Sequence, residues 1–221
     1  VTEEHAAAPR LRDGIRVALP LAPSPILFGL AFGVLAEATG FGRTAAVVMS
    51  ATTFSGAGQF ASVSVLDAGG TVVAASLAAI FLGARYIAIS MTVASIFPGR
   101  KLRRLVESQS IVDESWALSG RTGQFEWPIL VGAGGFFYVL WVVSTAIGTV
   151  LGGVLDDPNA LGLDAAFAAL FLALAMPYLR NRRGLQAAAL AAAITLAFTP
   201  IAPAGVPIVA ASAACLLGLR R

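Results

Sequence analysis

The sequence predicts an all-α polytopic membrane protein with about six transmembrane helices plus a re-entrant broken segment, the first two apolar segments both being interrupted. Three observations carry this prediction. The chain is 57% hydrophobic and only 12% charged, about half the charged share of an ordinary soluble domain, roughly 25%. Apolar stretches near the ~20 residues needed to cross a hydrocarbon core of ~30 Å recur along its length. One of them, from Thr44 to Leu66, contains the polar, glycine-rich run TTFSGAGQFASVS at residues 52–64. An unpaired backbone group in hydrocarbon costs several kcal/mol, so a chain opens its helix there only where protein or a water-filled cavity receives the freed groups.

Residues 1–16 form a charged tail whose Arg10, Arg12 and Arg16 flank the first apolar segment as a cytoplasmic anchor would. Residues 17–221 then read as a single transmembrane transport domain. The first segment, Val17 to Ala38, carries Pro20, Pro23 and Pro25. Proline has no amide donor and clashes with the preceding turn, so a kink or unwound stretch is expected near Pro23-Ser24-Pro25. Beyond it, Gly29 and Gly33 form a G-x-x-x-G pair suited to close helix approach.

In the second segment Ser55-Gly56-Ala57-Gly58-Gln59 is a candidate site. Glycines let a solute approach backbone, and a half-helix starting near Gly58 would present its positive end to an anionic group. Gln59 both donates and accepts. Small polar residues also serve tight packing in membrane helices, and spacing does not separate the two roles. Gly132-Ala133-Gly134-Gly135-Phe136 partly echoes Gly56-Ala57-Gly58-Gln59-Phe60, a weak sign of an internal repeat.

The third segment, Thr71 to Phe97, has Arg85 near its middle, where an arginine is disfavoured by ~2.5–3.5 kcal/mol on insertion scales. Its guanidinium should fork onto a carboxylate, such as that of an amino-acid substrate, or bind carbonyls freed by broken helices. A polar loop at 98–127 follows, basic first at Arg100, Lys101, Arg103 and Arg104, then acidic at Glu107, Asp113 and Glu114. Further apolar segments occupy 128–151, 165–179, 185–199 and 206–219. They are separated by an acidic loop with Asp156, Asp157 and Asp164, a basic one with Arg180, Arg182 and Arg183, and a proline link at Pro200 and Pro203.

Arginine and lysine prefer the cytoplasmic side, and this rule bears on the second segment. Of the fifteen basic residues only Arg85 lies inside an apolar segment. If residues 44–66 dip in and return, both termini are cytoplasmic and only Arg43 falls outside. If they cross, the alternative of seven crossings, the better orientation exports Arg10, Arg12 and Arg16. The re-entrant arrangement therefore violates the rule less.

Glu37 and Asp67 end their segments as boundary residues or, alternatively, proton-coupling carboxylates. Cys215 has no thiol partner, His5 is the lone histidine, and no nucleophile-base or metal-ligating set occurs. No cofactor and no enzymatic role are expected. The net charge of +3 comes from loop arginines and gives no stripe for nucleic acid.

The stretch Gly14 to Arg16 with the proline-rich helix ending Phe28-Gly29, the run from Met49-Ser50 through Phe54-Ser55-Gly56-Ala57-Gly58-Gln59-Phe60, the triplet Ala84-Arg85-Tyr86, and Asp113-Glu114 before Trp116-Ala117 together resemble the AzlC family. The resemblance implies the large subunit of a bacterial branched-chain amino acid exporter in the inner membrane. It implies leucine, isoleucine and valine as substrates, with methionine a further candidate, coupling to the proton motive force, and a small membrane partner, AzlD. Where the family commonly has asparagine two positions before the arginine, this chain has Gly83. On this reading Arg85 holds the carboxylate, with Tyr86 beside it. Gln59 and Ser55 with open backbone orient the substrate, and Phe28, Phe54 and Phe60 receive its side chain in a cavity between the first two segments and the third. Asp113-Glu114 is then a gate latch on the Arg100 to Arg104 cluster or a solvated face. A channel for a small neutral or anionic solute is the competing reading.

Overall fold

The structure, a computed structural model, describes residues 9–120, 124–153, 172, 176, 179–202 and 206–214. The acidic 156–164 loop, most of the 165–179 segment, His5, Pro203 and Cys215 lie outside these residues. Among the described residues the regular structure is entirely helical. The elements are α1 (Leu11–Ala18), α2 (Pro23–Ala38), α3 (Arg43–Thr53), α4 (Gly56–Asp67), α5 (Val72–Gly83), α6 (Arg85–Val93), α7 (Lys101–Ser108), α8 (Asp113–Ser119), α9 (Trp127–Gly152), α10 (Arg182–Phe198) and α11 (Val206–Ser212).

The prolines act where expected. After α1 a 3₁₀ turn at Leu19–Leu21 leads to Pro23, which begins α2, and the chain bends by 68° at this point. Pro23 sits at the first helical position, where its missing amide would have had no partner and its fixed φ suits the helix. The sequence reading of a kink thus takes the form of a helix end followed by a new start. Segment two breaks as well, at Phe54 and Ser55 between α3 and α4, so α4 starts two residues earlier than Gly58. Gly132 to Phe136, by contrast, lie inside the continuous α9, so their echo of Gly56 to Phe60 has no counterpart in helix position.

Among the described residues two helical stretches are long and apolar enough to span a bilayer, Val72–Ile96 and Trp127–Gly152, of 25 and 26 residues. The bent pair Leu11–Leu21 and Pro23–Ala38 makes a third if it is one span. α3 and α4, at 11 and 12 residues, are each about 17 Å long and too short to cross singly.

The chain packs as two compact units, Val1–Leu30 with Arg85–Ser144, and Ala31–Ala84 with Thr145–Arg221. In the first, α1 crosses α9 almost backbone on backbone. A Cβ on Gly14 would stand 2.6 Å from the Ile129 carbonyl oxygen, and one on Gly132 would run into the carbonyl of Leu11. A core of Val93, Phe97, Ile111 and Leu130 lies in the same unit, with Trp116, Phe125 and Trp127 against it. In the second unit α4 packs along α5 through Ala61, Val65, Ala75 and Ala78, and Gly33 meets the Thr145 to Thr149 turn of α9 with no room for a side chain. α10 and α11 form an adjoining pair, α11 also touching α5.

Glycine at these crossings is a steric requirement, and α9 supplies its own control. Gly132→Ala is expected to destabilise the purified protein by about 1–3 kcal/mol through overpacking. Gly135→Ala, which meets nothing within 4 Å, should be neutral or slightly stabilising. Thermal unfolding in detergent of the two variants tests the contrast.

Candidate functional site

The sequence-predicted residues fall into two groups, one in each unit. In the second unit the group is built on the break between α3 and α4. Phe54 closes α3 with φ 38° and ψ 54°, the left-handed region that costs a side-chain-bearing residue energy. Ser55 is extended, and α4 begins at Gly56. Across this break Gln59 donates from Nε2 to Ser50 Oγ at 2.8 Å, and Ser50 shares a 2.9 Å hydrogen bond with Thr145 Oγ1 of α9. Gln59, Ser50 and Thr145 are each fully buried. Phe60, also buried, meets Phe32 edge to face at 5.7 Å between ring centroids. Ser62 donates to the Ala75 carbonyl, tying α4 to the start of α5.

Ser55 is 5% exposed, and its Oγ is buried without a hydrogen-bond partner. It does not cap α4. The Gln59 amide bonds the Ser55 carbonyl, but the amides of Gly56, Ala57 and Gly58 have no acceptor among the described residues. Ala57 and Gly58 are buried and Gly56 half-buried, while Thr52 and Thr53 beside them are exposed.

In the first unit the group gathers round Arg85. This residue lies thirteen positions after Val72 and eleven before Ile96 in the spanning stretch, so about 20 Å and 16 Å from its ends. Its Nη2 pairs with Asp113 Oδ2 at 2.8 Å. The same nitrogen donates to Tyr86 Oη at 3.3 Å, and the guanidinium stands 5.1 Å from the Tyr86 ring centroid. Asp113 opens α8, so the 98–127 stretch brings a carboxylate to the middle of a spanning helix. The latch expected between Asp113-Glu114 and the Arg100 to Arg104 cluster is not made. Arg103 instead pairs with Glu107 at 2.6 Å, over Trp127, and Arg104 donates to the Ala94 carbonyl. Glu107 in turn accepts from Trp127 Nε1 at 2.9 Å. The cationic cluster is thus used to seat α7 on the end of the spanning helix and the start of α9.

Glu114 presents surface outward, yet the protein packed around its carboxyl strips enough water to raise its pKa above the ordinary glutamate value. Asp113 adds to this rise, while its own backbone amide and Arg85 oppose it. Of the two boundary carboxylates, Asp67 is exposed at the end of α4. Glu37 pairs with Arg43 at 3.4 Å, and its Oε2 is buried without a partner. Pro23 is exposed, and Ser24, Pro25 and Phe28 are half-buried in the first turns of α2.

Sequence reasoning missed Ser50, Thr145 and Phe32 as neighbours of Gln59 and Phe60. Ser50 had a weak signal, a hydroxyl in an apolar helix ahead of a break. Thr145 had none that is local, since its bond to Ser50 spans 95 positions.

Apolar spanning helices, a broken pair with a buried polar network, and an arginine held by a carboxylate along a spanning helix define an integral membrane protein. Comparison with known proteins then assigns the family. The model of the AzlC protein family matches residues 20–155, and the chain belongs to that family. An uncharacterized membrane protein of Archaeoglobus fulgidus is 32% identical over 206 residues, covering 92% of this chain and 91% of its own length. One from Helicobacter pylori strain J99 is 23% identical over 71% of this chain and 70% of its own length. The branched-chain amino acid transport protein AzlC of Bacillus subtilis is 23% identical over 73% of this chain and 65% of its own length. No solved structure matches the chain.

Two predictions follow from the Arg85 group. Removing one charge strands the other, so Arg85→Gln and Asp113→Asn should each destabilise the protein by about 1–3 kcal/mol. That is less than the roughly 3–5 kcal/mol of a fully buried pair, because both side chains are half exposed. The double variant, carrying no charge there, should recover most of the loss, as a double-mutant cycle of thermal unfolding would reveal. For Glu114 the raised pKa means that the native state holds its proton more firmly than the unfolded chain. Its stabilising contribution is complete below the ordinary glutamate pKa and is lost as pH rises through the raised value. Glu114→Gln should therefore match the parent at acid pH and exceed it progressively in melting temperature as pH rises; parallel curves would refute the assignment.

Proposed function

We propose that this chain is the large subunit of a secondary transporter that exports branched-chain amino acids across the bacterial inner membrane, driven by the proton motive force and assembled with a small AzlD-type membrane subunit. The observation that carries the reading is the helix break at Phe54-Ser55, where buried polar side chains adjoin first-turn amides of α4 that have no acceptor among the described residues. Such an opening is expensive in hydrocarbon and suits a binding locus for a small polar solute. The name of the Bacillus subtilis relative supports the solute class.

In this reading residues 44–66 form a re-entrant segment among six crossings, which keeps Arg10, Arg12 and Arg16 on the cytoplasmic side. Arg85 and Asp113 act in coupling. Arg85 already grips a carboxylate at 2.8 Å, so a proton delivered to Asp113 would weaken the grip and free the guanidinium for a second anion. Glu37, paired with Arg43, and Asp67 are the remaining coupling candidates.

The test is counterflow of labelled leucine in vesicles containing this chain with and without the small subunit. Leucine-dependent exchange, stimulated by an imposed proton gradient and depressed by an uncoupler, is the expected result. Absence of exchange in both preparations would sink the amino-acid assignment. Downhill flux indifferent to the uncoupler would instead establish the channel reading.

A further inference from the structure

We infer that the N-terminus of α4 is an anion site that takes the carboxylate of an α-amino acid on the amides of Gly56, Ala57 and Gly58 and the hydroxyl of Ser55. The inference rests on the reading of the chain as an amino-acid transporter and moves the carboxylate from Arg85 to α4. Three independent features converge on it. The first three amides of a 12-residue helix have no acceptor among the described residues, and together with the helix dipole they carry about half a positive charge. Ser55 Oγ is buried, makes no hydrogen bond, and lies 3.1 Å from where a Cβ on Gly58 would stand, hence over the same first turn. A hydroxyl so placed has the geometry of a helix cap but bonds none of the amides, and its proton is left to donate to an incoming oxygen.

The third feature is the backbone itself. Glycine at 56 and 58 leaves two of the three amides unshielded by side chains, and Gly56 is half-buried beside exposed Thr52 and Thr53. α3 ends where α4 begins, so its negative C-terminal end lies next to the positive end of α4. Two opposed helix ends, one residue pair apart, match the opposed charges of a zwitterion. Arg85, by contrast, has its charge already matched by Asp113 at 2.8 Å.

The experiment measures equilibrium binding to the purified full-length chain of three probes: L-leucine, L-leucinamide, which lacks the carboxylate, and 4-methylpentanoate, which lacks the amino group. Ser55→Ala should weaken leucine and 4-methylpentanoate about tenfold, as expected for one hydrogen bond to a charged group, and weaken leucinamide less, because its carbonyl oxygen still accepts a hydrogen bond but carries no charge. Ser55→Thr, which keeps the hydroxyl, should restore most of the loss, separating recognition from misfolding. Unchanged leucine affinity in Ser55→Ala would overturn the site while leaving the transporter reading intact. If the parent binds 4-methylpentanoate in a Ser55-dependent way but not leucine, the anion site stands and the amino-acid reading falls. If the parent binds neither carboxylate, the site is refuted.

Discussion

A glutamine side chain buried among apolar residues must find hydrogen-bond partners, and here it finds one on the far side of a helix break. The 2.8 Å bond from Gln59 to Ser50 ties α4 back onto α3, and the bond from Ser50 to Thr145 anchors both to α9. Without it, two helices of about 17 Å each would meet at a joint of unpaired backbone with nothing polar to hold them in register. In a medium of low dielectric such a bond is stronger than in water and its loss correspondingly expensive. The left-handed Phe54 has the same origin. Strain of about 1–3 kcal/mol persists only where surrounding structure over-determines the backbone, and the buried Gln59, Ser50 and Thr145 supply that determination from both sides of the break.

The Arg85 group solves a different problem with the same physics. A guanidinium some 20 Å along a spanning helix needs a counter-charge at its own depth, which no loop at the membrane surface can provide. The chain meets the need by bringing α8 inward. The rest of the 98–127 stretch is arranged to permit this. Arg103 and Glu107 lock α7 to Trp127, Trp116 donates to Thr92 at 2.8 Å, and Ser115 donates to the Ser110 carbonyl at 2.6 Å. The glycines of α9 admit the neighbouring backbone so closely that a Cβ on Gly134 would enter the Ser110 carbonyl.

What could be read in advance was what is local. Proline at 23 and 25 announced a helix interruption because the missing amide and the ring act within one turn, and the glycine-rich run at 56 to 58 announced another. Membrane insertion followed from composition alone. The partners of the buried polar groups were not legible, because hydrogen bonds such as Ser50 to Thr145 join distant positions and leave no periodic trace. Arg85 shows the limit most clearly. Its need for an anion is evident from its place in the third segment, but the sequence points to a substrate carboxylate or freed carbonyls and not to an acid of the same chain. Asp113 lay in a stretch whose polarity read as a solvated loop. Polarity reports that a residue is matched by something, water or charge, and does not say which.

The two groups differ in whether their charge is balanced within the protein, and on the proposed reading that difference separates holding from binding. Arg85 with Asp113 and Tyr86 forms a matched cluster, and matched charges in low dielectric resist rearrangement unless a proton or another anion intervenes. The start of α4 is incomplete: its first three amides find no acceptor among the described residues, and the buried Ser55 hydroxyl is unpaired. Leaving them so lowers stability by roughly 1–3 kcal/mol for each fully buried group, a cost that one capping bond from Ser55 would reduce. Ser55 is in reach of that role and does not fill it. Under the proposed function the solute is bound from water and released again, so its site can be neither satisfied by the protein alone nor so exposed that water satisfies it equally well. Groups kept dry on a hydrogen-bonded scaffold meet both conditions, because the carboxylate proposed to bind there would recover free energy that the fold itself leaves unused.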